Sequence, residues 1–178
     1  MPVAINGTSG AITGLAQLPD SAMSAGSILQ VKQTLKTDAF STTSGSYVDI
    51  TALSVNITPS SSSNKVLVQF TVAVGHNTST QQSIQLVRQV SGSDTIINAC
   101  AYDSSTSMFY VDAADSYETW DRNHVTYQCI DSPATTSAVN YRLRTYIYSS
   151  SQTQYINRCH NSANNTGSST LTIMEISA

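Results

Sequence analysis

Between residues 65 and 74 the chain alternates strictly: Val66, Val68, Phe70, Val72 and Val74 all fall on one side of an extended backbone. A period of two suits a strand with one buried face and is incompatible with the 3.6-residue repeat of a helix. The same period recurs along most of the chain. Leu29, Val31 and Leu35 alternate with Gln30 and Lys32. Residues 47–57 place Leu53, Val55 and Ile57 on one face, and Pro59 with the serines at 60–63 ends the stretch. Residues 83–90 bring Ile84, Leu86 and Val90 together, and residues 96–102 form a shorter candidate. Residues 123–130 align Val125, Tyr127 and Cys129. Residues 139–148 align Val139, Tyr141, Leu143 and Ile147, opposed by Arg142, Arg144, Tyr146 and Tyr148. Residues 170–177 close the series. Eight or nine short strands, separated by Ser, Gly, Asn and Pro turns, predict an all-β fold: a jelly-roll-like β-sandwich. No amphipathic helical run exceeds two turns. Residues 112–120 read as a long loop, with Trp120 capping the core beneath it.

Composition narrows the setting. Only 11% of the residues are charged, against roughly 25% in ordinary soluble domains. Ser and Thr, about 50 residues together, fill the gap. Little net charge invites association, because few charges keep molecules apart; such a surface suits a protein that lives in an assembly. Disorder is the other reading of a polar chain, but the abundance of Val, Ile, Thr and Tyr argues against it beyond about Gly26. Eight Lys and Arg at a net charge of −3 are too few to neutralise a row of phosphates, so no nucleic-acid partner is expected. No stretch approaches the ~18 apolar residues of a membrane span, and residues 1–7 lack the basic start of a secretory signal.

Residues 1–26 differ from the rest. Asn-Gly and Ser-Gly turn signals separate isolated apolar residues, which predicts one small hairpin with Ile5 facing Ile12 and no core of its own. Leu18-Pro19-Asp20 then breaks the chain, and residues 22–26 read as a linker. This divides the chain into an N-terminal anchoring arm, 1–26, and a sandwich domain, 27–178. Ile5, Ile12, Leu15 and Leu18 are the arm's candidate partner-binding residues. At the other end, Leu171 and Ile173 lie on one face of the last strand, Met174 and Ile176 on the other. A strand apolar on both sides is buried on both, unless a bulge near Ile173 shifts the register. The reading taken is a subunit interface carried by Leu171, Ile173, Met174 and Ile176.

No grouping needed for catalysis is evident, so no enzyme activity and no cofactor are expected. Gly7-Thr8-Ser9-Gly10 is one residue too short for a nucleophile elbow. His76, His124 and His160 are isolated, and Cys159 and His160, as strand neighbours, point to opposite faces; no metal site is expected. Asp103, Asp112, Asp115, Glu118 and Asp121 lack the spacing of a tight calcium loop and read as a solvated loop. Cys100, Cys129 and Cys159 read as small core residues, with a Cys100–Cys129 bridge open if their strands are neighbours. Arg142, Arg144, Tyr146 and Tyr148 share a face that could bind a sugar or a protein; cross-strand packing is the plainer alternative.

Three segments carry a family resemblance. Ile5-Asn6-Gly7-Thr8-Ser9-Gly10-Ala11-Ile12-Thr13-Gly14-Leu15, with Leu18-Pro19 and Gly26-Ser27-Ile28-Leu29-Gln30-Val31 after it, resembles the opening of tailed-phage virion proteins, often from marine and cyanobacterial phages. Asp131-Ser132-Pro133-Ala134-Thr135-Thr136-Ser137-Ala138, then Tyr141-Arg142-Leu143 and Ile156-Asn157-Arg158, resembles them too. So does the ending Ser169-Thr170-Leu171-Thr172-Ile173-Met174-Glu175-Ile176. The resemblance implies a homotrimeric β-sandwich on the virion, made in the host cytoplasm. Its partners would be itself and either a major capsid protein, as a decoration or cement protein, or a tail protein, as a short tail fibre contacting host glycan. The chain departs from the fibre pattern in being short, with no shaft between arm and sandwich.

Overall fold

The alternating run at 65–74 becomes the longest strand and the spine of the molecule. The computed structural model describes residues 4–5, 12–13, 23–76, 82–97, 109–111, 123–148, 151–159 and 162–178. In these, the strands are β1 (Ala4–Ile5), β2 (Ile12–Thr13), β3 (Ile28–Lys36), β4 (Phe40–Thr42), β5 (Val48–Ile57), β6 (Lys65–His76), β7 (Gln82–Val90), β8 (Ser93–Ile96), β9 (Phe109–Val111), β10 (Asn123–Asp131), β11 (Val139–Ile147), β12 (Gln154–Ile156), β13 (Arg158–Cys159), β14 (Ser162–Thr166) and β15 (Ser169–Ile176). The fold is all-β, and every strand pairing is antiparallel.

Two sheets enclose the core. The six-stranded sheet runs β3-β15-β6-β12-β4, with β10 on the other edge of β6; the five-stranded sheet runs β5-β11-β7-β8, with β9 also on β7. Val66, Val68, Phe70 and Val72 from β6, with Leu171 and Ile173 from β15, meet Leu53 and Ile57 from β5, Leu86 from β7 and Tyr141 and Leu143 from β11. Burying a side chain of this size is worth about 1.5–3 kcal/mol, so this shared interior is what holds the sheets together. Cys129 packs against the core and Cys159 lies within it. Cys100, Trp120 and the acidic residues at 103–121 lie outside the described residues, as do Leu15 and Leu18. In the arm, β1 pairs with β2 and Ile5 is the register partner of Ile12, as the turn signals predict.

Where the alternation is strong the expected strands stand at nearly the expected limits. The short candidate at 96–102 lies, beyond residue 97, outside the described residues; ahead of it, Ser91 and Gly92, at φ of +49° and +84°, turn the chain directly after β7 into the return strand Ser93–Ile96. Two central residues with positive φ match the right-handed twist of the flanking strands. In β5 the register slips. Only Leu143 separates Arg142 from Arg144 on β11, while Ile50, Thr51, Ala52 and Leu53 fill the same interval on β5. Ala52 takes φ +64° there, and this bulge carries β5 over the edge strand β3. The last strand's register shift falls between Glu175 and Ile176, and not near Ile173.

Candidate functional site

The edge strand β3 is turned inside out. Its alternation holds, but the apolar side faces outward and the polar side faces in. Inward, Thr34 Oγ1 donates to the carbonyl of Ala52 at 3.0 Å, and Gln30 Nε2 donates to that of Thr58 at 2.9 Å. Lys36 is buried, with Nζ 2.8 Å from an Asp38 carboxylate oxygen and 3.4 Å from Thr51 Oγ1. These bonds satisfy β3 against the β5 bulge and leave Val31 and Leu35 pointing to solvent, 53% and 57% exposed.

The outward residues continue across the sheet in register. Val31 lies beside Met174, Met174 beside Leu67, and Leu67 beside Ile130, which is 64% exposed. Ile28, 54% exposed, pairs with Ile176, which in turn pairs with Lys65. Next to the apolar row stands a polar one, Gln33, Thr172, Gln69 and Gln128, in which Gln33 Nε2 donates to Thr172 Oγ1 at 2.8 Å. Beyond it come Leu35, Thr170, Thr71 and Thr126, the last two with hydroxyls 3.1 Å apart. Of the five exposed large apolar residues among those described, four stand on this face: Ile28, Val31, Leu35 and Ile130.

This placement divides the four residues assigned to a subunit interface. Met174 and Ile176 are half-buried and outward. Leu171 and Ile173 are wholly buried in the chain's own core, so the assignment is corrected for these two: a side chain already enclosed by its own molecule offers nothing to another. Val31, Leu67 and Ile130 belong to the outward patch and were not assigned. The alternation of β3 and β6 was readable, but only the cross-strand register brings these residues into one row.

The inward side of β15 ends in a second polar centre. Glu175 is buried and accepts from Gln30 Nε2 (2.5 Å), Ser60 N (2.7 Å), Ser60 Oγ (2.8 Å) and Asn64 Nδ2 (2.7 Å). Burial alone would push this carboxyl up. The donated bonds from Asn64, Gln30 and Ser60 outweigh it and hold the group below the usual carboxylate range. The centre closes the turn at 60–64 onto the last strand.

On the opposite sheet, the face carrying Arg142, Arg144, Tyr146 and Tyr148 is occupied from within. Arg142 Nε and Arg144 Nε both reach Asp49 Oδ1, at 3.1 and 2.6 Å, and their Nη2 atoms reach Asp94 Oδ2 at 2.6 and 2.7 Å. Arg142 foremost holds the Asp94 carboxyl below its ordinary value against the opposing push of burial, with Gln89 and Arg144 adding to it. Arg144 is raised: partial burial lowers it, and the bonds to Asp49 and Asp94 more than offset this. Tyr146 sets its ring edge-on to Tyr47, centroids 4.8 Å apart. Tyr148 is 71% exposed. Beside Arg142, the β5 bulge opens a cavity of about 400 Å³ lined by Asp49, Thr51, Ala52, Ser54, Gln89 and Asn140, among others. The two Arg and two Asp compensate one another, which favours the packing alternative for this face. Among the described residues no three of His, Cys, Asp and Glu gather as a metal site would require.

No protein-family model matches the sequence, and no curated protein matches it. The chain matches a number of solved structures, among them two of infectious bursal disease virus. One is the infectious bursal disease virus VP2 subviral particle, at 10% identity and a TM-score of 0.42, over 84% of this chain and 38% of that one. The other is the Gx strain of infectious bursal disease virus, at 13% identity and a TM-score of 0.42, over 100% and 42%. The chain thus spans about two-fifths of the length of either.

Proposed function

We propose that this chain is a non-enzymatic structural component of a virion, a decoration or cement protein whose residues 1–26 grip the particle while its sandwiches associate with one another on the surface. The observation that carries the structural role is the outward patch on the six-stranded sheet: a protein that spends its charges sparingly and gathers its exposed apolar residues on one face is built to be covered. The virion setting is supported by the resemblance of the arm, the 131–143 segment and the last strand to tailed-phage virion proteins. The arm's role is supported by its isolated apolar residues and by a hairpin too small to bury them.

The alternative, a short tail fibre that binds host glycan through Arg142, Arg144, Tyr146 and Tyr148, is weakened because both guanidinium groups already bind Asp49 and Asp94. Deleting residues 1–26 is expected to abolish attachment to particles while leaving a folded oligomer. A truncated chain that still attached would overturn the proposal. Copy number separates the two locations: hundreds per virion for decoration, tens or fewer for a tail component.

A further inference from the structure

We infer that the outer face of the six-stranded sheet is where copies of this chain pack on one another, with the row Val31, Met174, Leu67 and Ile130 at the centre of the contact. This rests on the assembly reading above and names its surface, which extends from the last strand across β3, β6 and β10.

Register and exposure together define the patch. Val31 and Ile130, at the two ends of the row, are more than half exposed, and Met174 and Leu67 between them are half-buried. A polar inward side on β3, bonded to the β5 bulge through Thr34 and Lys36, means that the apolar outward side is not an accident of a poorly packed edge. Turning β3 over would place Lys36 and Gln30 in solvent and Leu35 against backbone carbonyls.

Charge and size favour a second copy as the occupant. In the four rows from Ile28 to Thr126 the only charged residue is Lys65, which stands at a corner and donates to Ser132 Oγ at 3.0 Å. Two identical faces of this kind meet without like-charge repulsion, whereas a strongly charged partner finds nothing here to pair with. Four strands about 4.8 Å apart and four rows about 6.8 Å apart cover about 500 Å². A pair of copies therefore buries about 1,000 Å², the size at which a specific interface becomes sustainable. The row also suits self-pairing: with the copies in antiparallel register, Val31 falls over the partner's Ile130, and Met174 over the partner's Leu67.

The test uses the full chain in analytical ultracentrifugation at micromolar concentrations, beside a Val31→Lys/Ile130→Lys double variant. Both positions are exposed in the single chain, so the variant should keep its β-type circular dichroism and unfolding midpoint. The expected result is an oligomeric parent and a monomeric variant, with Tyr148→Lys on the opposite sheet still oligomeric. Should the double variant misfold, Ile130→Ser gives the same readout as a rise in dissociation constant of ten-fold or more. A monomeric parent, or a lysine variant that stays oligomeric, overturns the inference. Particle attachment is scored separately: a parent that oligomerises through this face and binds no particle defeats the virion reading and leaves the inference standing. A lysine variant that stays oligomeric and still decorates does the reverse.

Discussion

Asn157 joins three stretches of backbone that are far apart in sequence. Its φ is +63°, a region where Asn is tolerated better than other residues with a Cβ. Its Nδ2 donates to the carbonyls of Lys36 (2.9 Å) and Asp38 (3.0 Å), its Oδ1 accepts from Ser169 Oγ (2.5 Å), and its N–H donates to Ala73 O (2.8 Å). All of its polar side-chain atoms are thereby used inside a fully buried site. Asn157→Ala is expected to lower stability by about 3 kcal/mol, from the lost bonds and the left-handed backbone together. Asn157→Gly should cost less, because it relieves the backbone, and Asn157→Asp most, because a carboxylate would face two carbonyls. Urea unfolding midpoints check this order. Glu175 gives a prediction with a pH sign. Its folded pKa lies below the unfolded value near 4.3, so its stabilisation is present above that value and is lost as pH falls through the folded pKa. The stability gap between the parent and Glu175→Gln should therefore be full at neutral pH and shrink below about pH 4. A gap independent of pH would show that the carboxylate charge does not matter there.

At the scale of elements, β6 and β13 approach closely at Gly75. A Cβ on Gly75 would lie 2.2 Å from the carbonyl oxygen of Arg158, a backbone atom that cannot swing aside. Gly75→Ala is expected to cost about 3 kcal/mol or more, read as a drop in thermal midpoint. Nothing in the local pattern announces this glycine, since the partner that crowds it lies eighty-odd residues away. The strands themselves were legible to different depths. β5, β6, β10 and β11 were readable because three or more alternating apolar positions define a face. β4, β12 and β13 are two or three residues long, too short to show any period. β3 is the instructive case: alternation tells which residues share a side, never which side is inward. The side was decided by hydrogen bonds to the β5 bulge, and a bulge with a left-handed Ala52 has no signature in that sequence. The interface residues were half legible for the same reason. The second apolar face of β15 could be seen, but its neighbours Val31, Leu67 and Ile130 could be added only once the strand order was known.

Across the whole molecule, a polar link centred on Asp131 joins the two sheets at one end of the core. Asp131 closes β10 in the six-stranded sheet. It accepts from Tyr141 Oη on β11 at 2.7 Å and from Arg88 Nη1 on β7 at 2.8 Å, both from the five-stranded sheet. Tyr141 is fully buried in the core; burial first, then the adjacent Asp131 carboxylate, raises its phenol far above the ordinary value. In an alkaline titration followed near 295 nm, one tyrosine should thus stay un-ionised until the sandwich opens, and its ionisation should coincide with loss of the β-signal. Removing the two ends of the link should differ in effect. Tyr141→Phe leaves Asp131 paired to Arg88 and forfeits one charge-assisted bond, about 1.5–3 kcal/mol. Asp131→Ala leaves Arg88, whose side chain is 17% exposed, without its counter-ion beside a bare phenol, and should cost more, toward about 3–5 kcal/mol. If the two variants unfold at the same midpoint, the link is held by the tyrosine alone and the ion pair contributes nothing to joining the sheets. If Asp131→Ala is the weaker protein, the sandwich owes part of its closure to an ion pair that no single strand contains.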